Sequence, residues 1–293
     1  DLHSFPTRRS SDLVLTAFIR QSIESGSGNM RIFDALNDIR NLRMAILATK
    51  AYGGKVEAAM SYTTSPVHTT GYFVDYGKRL LAEGVDRIAI KDMAGLLHPK
   101  DAVVLLPALR KEISIPIVLH THATTGVSLV NLALAIKYGI DQVDTCISPF
   151  AGGSSHSPVE VMAVIAERMG YDHGLDKEAI TKAQDVLREI FVELKNSTPS
   201  FAKGWHKPVH FEDVPVEKVD RFVEAIMKEP VDLKTAIDLS REIMADLDYP
   251  KYDDRIFESQ IPGGMLSNLQ NQLKGMGVPE EKFDSVLDRK SVV

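Results

Sequence analysis

His120 and His122 close a short apolar run, Ile117-Val-Leu119, that follows Pro116. An apolar run bounded by proline reads as a buried strand. Side chains alternate along a strand, so the two imidazoles project from the same face, one pleat apart. Two imidazoles so placed can chelate one divalent cation, and Gly126 opens the turn that follows. The plainer use of the pair is as polar strand-end residues hydrogen-bonded to backbone. Lys91 ends another apolar run, Arg87 to Ile90, with Asp92 on the opposite face. A lysine turned into a closed interior is costly to keep charged, so its pKa falls. A neutral amine beside a metal has two common uses: a Schiff base, or reaction with carbon dioxide to a carbamate that adds an anionic oxygen ligand. Pairing of Lys91 with a rim carboxylate such as Asp34 is the alternative.

Catalytic metal sites keep three protein ligands and an open position, so a further carboxylate is wanted. Asp34 and Asp38 are available, and Asp34 serves equally well as a helix-start cap. Gly152-Gly-Ser-Ser155 puts hydroxyls on a loop where backbone can approach a ligand closely and Ser154 can reach inward. The same four residues also suffice simply to start a helix. The remaining histidines, His3, His68, His98, His156, His173, His206 and His210, fall mostly at turns and read as surface residues.

The elements that must position these groups follow one repeating unit: apolar strand, polar turn, amphipathic helix, glycine. Strands are expected at Met30 to Phe33, Lys55 to Met60, Arg87 to Ile90, Ile117 to Leu119 and Gln142 to Ile147. They recur every ~25 to 30 residues with helices between, the pattern of right-handed βαβ units on a parallel sheet. Polar or hydroxyl side chains follow every strand on its carboxyl side. In a (β/α)8 TIM barrel that rim carries the active site, whereas a doubly wound sheet concentrates its ligands at one switch point. The barrel is therefore expected, as an α/β fold truncated at its N-terminus, with about five of eight strands present. After Tyr171 the pattern turns helical. Asp176 can cap a helix to about Lys195, and further amphipathic stretches run over Val216 to Met227 and Leu233 to Leu247. The expected division is a partial barrel over 14–170 and a helical C-terminal extension over 171–287. Residues 1–13 and 288–293 lack periodicity and resemble translated sequencing-adapter sequence.

The chain has 293 residues, 44% hydrophobic and 25% charged, with a net charge of −6 and no dense Lys/Arg cluster, which argues against a nucleic-acid partner. The single cysteine, Cys146, excludes an intrachain disulfide and fits a reducing cytoplasm, and its apolar strand suggests a packed thiol. No apolar run reaches the roughly 18 residues of a membrane span.

Six stretches, in order, resemble one family. They are Arg31-Ile-Phe-Asp-Ala-Leu-Asn-Asp38, Ser61-Tyr-Thr-Thr-Ser-Pro-Val-His68, Ile90-Lys-Asp-Met-Ala-Gly-Leu-Leu97, His120-Thr-His-Ala-Thr-Thr-Gly126, Ile147-Ser-Pro-Phe-Ala-Gly-Gly153 and Ile261-Pro-Gly-Gly-Met-Leu-Ser-Asn-Leu269. The family is the biotin-dependent carboxyltransferases: the carboxyltransferase part of pyruvate carboxylase (as a domain or a separate subunit), the α subunit of oxaloacetate decarboxylase and the matching subunit of transcarboxylase. The resemblance implies a (β/α)8 barrel holding Zn, Mn or Co through His120, His122 and a carbamate on Lys91. It implies carboxybiotin on a separate carrier domain as cofactor and pyruvate or oxaloacetate as substrate. A biotin carboxylase or membrane decarboxylase subunit is the implied partner, with homo-oligomers at full length and a cytoplasmic setting. The family's proton-relay threonine aligns with Ser154, which keeps the hydroxyl. Its first-strand aspartate ligand and its keto-acid arginine and glutamine have no counterpart here, so the chain is expected to be a fragment, inactive alone. The region Thr198 to Pro230 is longer than the pattern.

Acyl-CoA lyases and synthases of the same superfamily carry His-x-His at this strand but lack the Lys91 segment, so Lys91 discriminates against them. A barrel kept only as a scaffold for a biotin-enzyme complex is a third reading, and metal content separates it from the others.

Overall fold

The computed structural model describes residues 6–197, 209–260, 269, 272–279 and 282. Among them, five strands alternate with helices, as the repeating unit requires. These are β1 (Asn29–Asp34), β2 (Lys55–Ser61), β3 (Arg87–Asp92), β4 (Ile117–Thr121) and β5 (Gln142–Val143), and they form one sheet in the order β1-β2-β3-β4-β5. The strands whose register is defined are parallel: Asn29 to Asp34 lie opposite Lys55 to Met60, and Glu57 to Ser61 opposite Arg87 to Lys91. Sequential order without a crossover is the barrel-type connection, each helix returning the chain to the next neighbouring strand.

Helices α1 (Pro6–Glu24), α2 (Ile39–Ala51), α3 (Thr70–Ala82), α4 (Pro99–Glu112), α5 (Ser128–Lys137) and α6 (Val159–Arg168) fill the intervals. The starts of α2 and α3 are set by short polar side chains that satisfy otherwise orphaned amides. Asp38 accepts from Arg40 N, and Thr69 accepts from Tyr72 N at 3.2 Å. The helical C-terminal part comprises α7 (Lys177–Ser197), α8 (Val216–Met227), α9 (Leu233–Asp246) and α10 (Ile256–Ser259). Asp176 caps α7 as expected, accepting from Ala179 N at 3.0 Å.

Three expectations need correction. The first helix starts at Pro6, so it continues through most of the stretch set aside as aperiodic. The fifth strand is much shorter than Gln142 to Ile147. After Val143 the chain leaves the sheet, and Cys146 instead forms an isolated parallel bridge with Pro158. Its amide and carbonyl are spent on Ser157 O (3.0 Å) and Val159 N (2.9 Å). Cys146 is accordingly half-buried, not packed in a strand. The motif Ile261 to Leu269 and the segment Thr198 to Pro208 lie outside the described residues, Leu269 excepted.

The chain divides into two compact units. One comprises residues 1–91, 104–119 and 140–142, the other residues 92–103, 120–139 and 143–293. The first holds most of the strand residues, with Met60, Ile88, Ala89, Ile90, Ile117, Val118 and Leu119 at most 1% exposed and Phe73, Tyr76 and Leu80 of α3 buried. β strands covered on both faces read as continuous apolar runs, which is how they were legible. In the second, α5 packs on α6, α8 and α9, and α8 packs on α9. Leu132, Ile165, Phe222, Ile226 and Ile243 are wholly buried there, so the C-terminal helices share a core with residues that follow β4. Phe222→Ala should therefore lower unfolding stability by about 3–5 kcal/mol, read as a fall in the urea midpoint. An unchanged midpoint would show that α8 is peripheral.

Candidate metal centre

Within the second unit, the residues that end β4 and those that follow β5 are laced together. Thr121 is fully buried and His120 and His122 are partly so, the alternation expected of a strand with one face inward. Thr121 Oγ1 donates to Asp92 Oδ2 at 2.8 Å, and the same carboxylate accepts from Leu96 N (2.7 Å) and Leu97 N (3.0 Å). His122 N donates to Asp92 O at 3.1 Å. Asp92 is thus a wholly enclosed carboxylate. Burial pushes its pKa up to about 6, although Thr121 and the two amides favour the ionised form.

The loop after β5 crosses back over this strand end. Ala123 N donates to Ser155 O at 2.7 Å, and Gly152 N to His156 O at 2.7 Å. His156, read from sequence as a surface turn residue, is instead half-buried beside His120 and His122. Its ring centroid lies 4.3 Å from that of His120 and 4.6 Å from that of His122, with His120 and His122 5.2 Å apart. One ligand atom from each of the three lies within 4.8 Å of the others.

Each Nδ1 has an acceptor: Ser154 O for His122 (2.6 Å), Thr121 O for His156 (2.9 Å) and Asp144 Oδ2 for His120 (2.8 Å). A carbonyl oxygen can only accept, so His122 and His156 carry hydrogen on Nδ1 and, when neutral, a lone pair on Nε2. Outer acceptors that fix the tautomer and raise ligand basicity are the usual support of metal-binding imidazoles. Tetrahedral coordination at about 2.0–2.1 Å would draw the nitrogens to about 3.4 Å. The donor set and its spacing therefore fit a divalent cation.

Other expected residues are placed differently. Asp34 serves the turn after β1, accepting from Leu36 N (3.0 Å), Asp38 N (3.0 Å) and Asn41 Nδ2 (3.0 Å), while the cap of α2 is Asp38 and not Asp34. Lys91 belongs to the first unit, where its Nζ lies 4.7 Å from the centre of the Phe33 ring. Ser154 has an exposed side chain and contributes its carbonyl to His122. Asp144 was not singled out from the sequence, and neither was Thr121.

The loop bearing Ser154 and His156 is anchored at its start. Ser148 N donates to Glu160 Oε1 at 3.0 Å, and Gln184 Nε2 donates to that same oxygen and to Val209 O (2.6 Å).

A family model described as HMGL-like matches residues 17–187. A pyruvate carboxylase subunit of Methanocaldococcus jannaschii is 34% identical over 280 residues, which are 96% of this chain and 41% of that protein. The methylmalonyl-CoA carboxyltransferase 5S subunit of Propionibacterium freudenreichii subsp. shermanii is 36% identical over 282 residues, 96% of this chain and 46% of that one. The carboxyl transferase domain from Rhizobium etli pyruvate carboxylase superposes with a TM-score of 0.67 at 25% identity, covering 94% of this chain and 39% of the solved one. The chain thus spans less than half the length of these relatives, and the α/β barrel-type fold and the resemblance drawn from the six motifs are both met by them.

Glu160 supplies a test of the loop anchor. Burial raises its carboxyl above the ordinary 4.5, against hydrogen bonds from Ser148 and Gln184 that lower it. A raised acid favours the folded state below its unfolded pKa and loses that contribution as pH rises through the folded value. Glu160→Gln should flatten the decline in stability above about pH 4.5, measured by urea unfolding across pH. An unaltered slope would mean Glu160 titrates normally.

Proposed function

Because this chain belongs to the HMGL-like family, we propose that it is the carboxyltransferase part of a biotin-dependent enzyme, moving a carboxyl group between carboxybiotin and pyruvate. The observation that carries the reading is the imidazole cluster at the end of β4, on a chain whose relatives are named as a pyruvate carboxylase subunit and a carboxyltransferase 5S subunit. The acyl-CoA lyase alternative lacks support from the Lys91 segment, which is present here.

The proposed ligands are His120 and His122, with Lys91 as a carbamate, as the resemblance implies. A bound divalent cation supplies Lewis acidity that stabilises enolate charge. The chain's own residues do the rest. Asp144 and the carbonyl of Ser154 hold the two imidazoles with Nε2 basic. The Ser154 hydroxyl, on the exposed side of its loop, is the group proposed to hold the proton that passes between the methyl of pyruvate and the ureido nitrogen of biotin. Biotin would arrive on a carrier domain, with a biotin carboxylase or a membrane decarboxylase subunit as its loading partner and a homo-oligomer as the working form. Among the described residues no helix is long and apolar enough to cross a membrane, and a cytoplasmic setting is proposed.

The clustering of His156 favours a second ligand set, three imidazoles without Lys91. The two sets part on metal content. Under the carbamate set, Lys91→Ala loses bound metal and His156→Ala retains it; under the three-imidazole set the outcomes exchange. Metal analysis of the two purified variants decides between them. In an enzyme assembled to the full length of the relatives, Lys91→Ala should lower pyruvate-dependent transfer from labelled carboxybiotin by roughly 10³-fold, the scale of losing several kcal/mol of charge stabilisation. Undiminished transfer refutes the carbamate, and turnover of an acyl-CoA in place of pyruvate refutes the substrate.

A second prediction concerns Asp144. Asp144→Asn keeps the size of the side chain but weakens the hold on His120 Nδ1, and metal affinity should fall about 10- to 100-fold. Equal affinity in competition with a chelator would separate Asp144 from the centre.

A further inference from the structure

The segment Tyr249-Pro-Lys-Tyr-Asp253 follows α9 and runs against the loop after β4 and against the loop after β5 that carries Ser154 and His156. At the loop after β4, Gly126 adopts φ +73°, and a Cβ there would stand 2.8 Å from Tyr252 Cβ and 2.9 Å from its Cγ. At the loop after β5, Gly152 adopts φ +82°, and a Cβ there would stand 2.8 Å from Tyr249 Cδ1 and 3.3 Å from Pro250 Cδ. Both positions need glycine twice over, for the left-handed backbone and for the close approach. Between them, Asp253 N donates to Thr124 O at 2.8 Å.

The segment is tied in turn to α9. Tyr249 N donates to Met244 O at 3.0 Å. The Arg241 guanidinium lies 3.8 Å from the centre of the Tyr252 ring, and its Nη2 bonds Asp254 Oδ1 at 3.0 Å and reaches Thr125 O at 3.5 Å. Ser240 Oγ reaches Gly126 O at 3.4 Å. One short segment thus bears on the backbone just beyond His122 and on the loop that supplies Ser154 O and His156.

We propose that Tyr249–Asp253 is a strap through which α9 sets the imidazoles of His122 and His156, so that Tyr252 is a positioning residue for the metal centre. The tautomer of His122 depends on a 2.6 Å bond to a loop carbonyl. The strap limits how far that loop and the β4 end can part. Strap seating and cation binding are then coupled, each strengthening the other. The proposal rests on the reading of the histidine cluster as a metal centre, and its test separates the two.

Cobalt(II) is titrated into the full 293-residue chain, into Tyr252→Ala and into Tyr252→Phe, recording affinity and visible ligand-field bands. Histidine side-chain ¹⁵N spectra are recorded on the metal-free proteins. Tyr252→Ala should weaken cobalt binding about tenfold or more, alter the bands and move the His122 and His156 ¹⁵N signals toward mixed tautomers. Tyr252→Phe, which keeps the ring, should match the parent. Should Tyr252→Ala fail to fold by circular dichroism, Arg241→Met is read by the same criteria. Parent-like affinity, bands and ¹⁵N signals in the truncated variant overturn the strap. If the parent itself takes up no cobalt, the metal reading of the cluster fails, and the metal-free ¹⁵N comparison alone decides the strap.

Discussion

Three acceptors decide which nitrogen of each clustered imidazole carries hydrogen. Two are backbone carbonyls, Ser154 O and Thr121 O, and the third is the Asp144 carboxylate. The carbonyls lie on different segments from the histidines they hold: the loop after β5 supplies the acceptor for His122, and the end of β4 supplies the one for His156. The exchange is reciprocal, so neither loop can move without releasing an imidazole of the other. Acceptors that hold Nδ1–H in this way place the basic nitrogen of each neutral ring at Nε2, which is the support that binding a cation demands.

That exchange needs a rigid floor. Asp92 supplies it, one enclosed carboxylate with three donors around it. A buried charge with hydrogen bonds to every side is costly to break, because removing a donor leaves the desolvated carboxylate uncompensated. The fully buried Thr121 hydroxyl, opposite the histidine face of β4, ties the strand end to the turn after β3. Asp34 uses the same chemistry locally, its carboxylate accepting from the amides of Leu36 and Asp38 in the turn after β1.

Much of this was legible in the sequence. The first four strands were placed within two residues of their ends: β2, β3 and β4 are buried along most of their length and read as apolar runs, whereas β1, with only Ile32 buried, is marked by its place in the repeating unit. His120 and His122 share a side because the period of a strand is 2, and α8 follows its amphipathic pattern from Val216 to Met227. What failed was whatever depends on a loop folding back. The apolar residues Cys146 and Ile147 looked like more strand, but their backbone groups are claimed by Ser157 and Phe150. His156 sits in a glycine- and serine-rich loop, where local sequence signals a turn and says nothing of which strand the turn will cover. Asp144 was missed for a similar reason. It lies just beyond the two-residue β5, and its partner is 24 positions away.

The most direct measurement is X-ray absorption at the zinc edge of the metal-loaded chain. A centre built on His120 and His122 gives imidazole multiple scattering from at least two rings, with nitrogen at about 2.0–2.1 Å. A shell of oxygen scatterers alone, with no imidazole contribution, would contradict it.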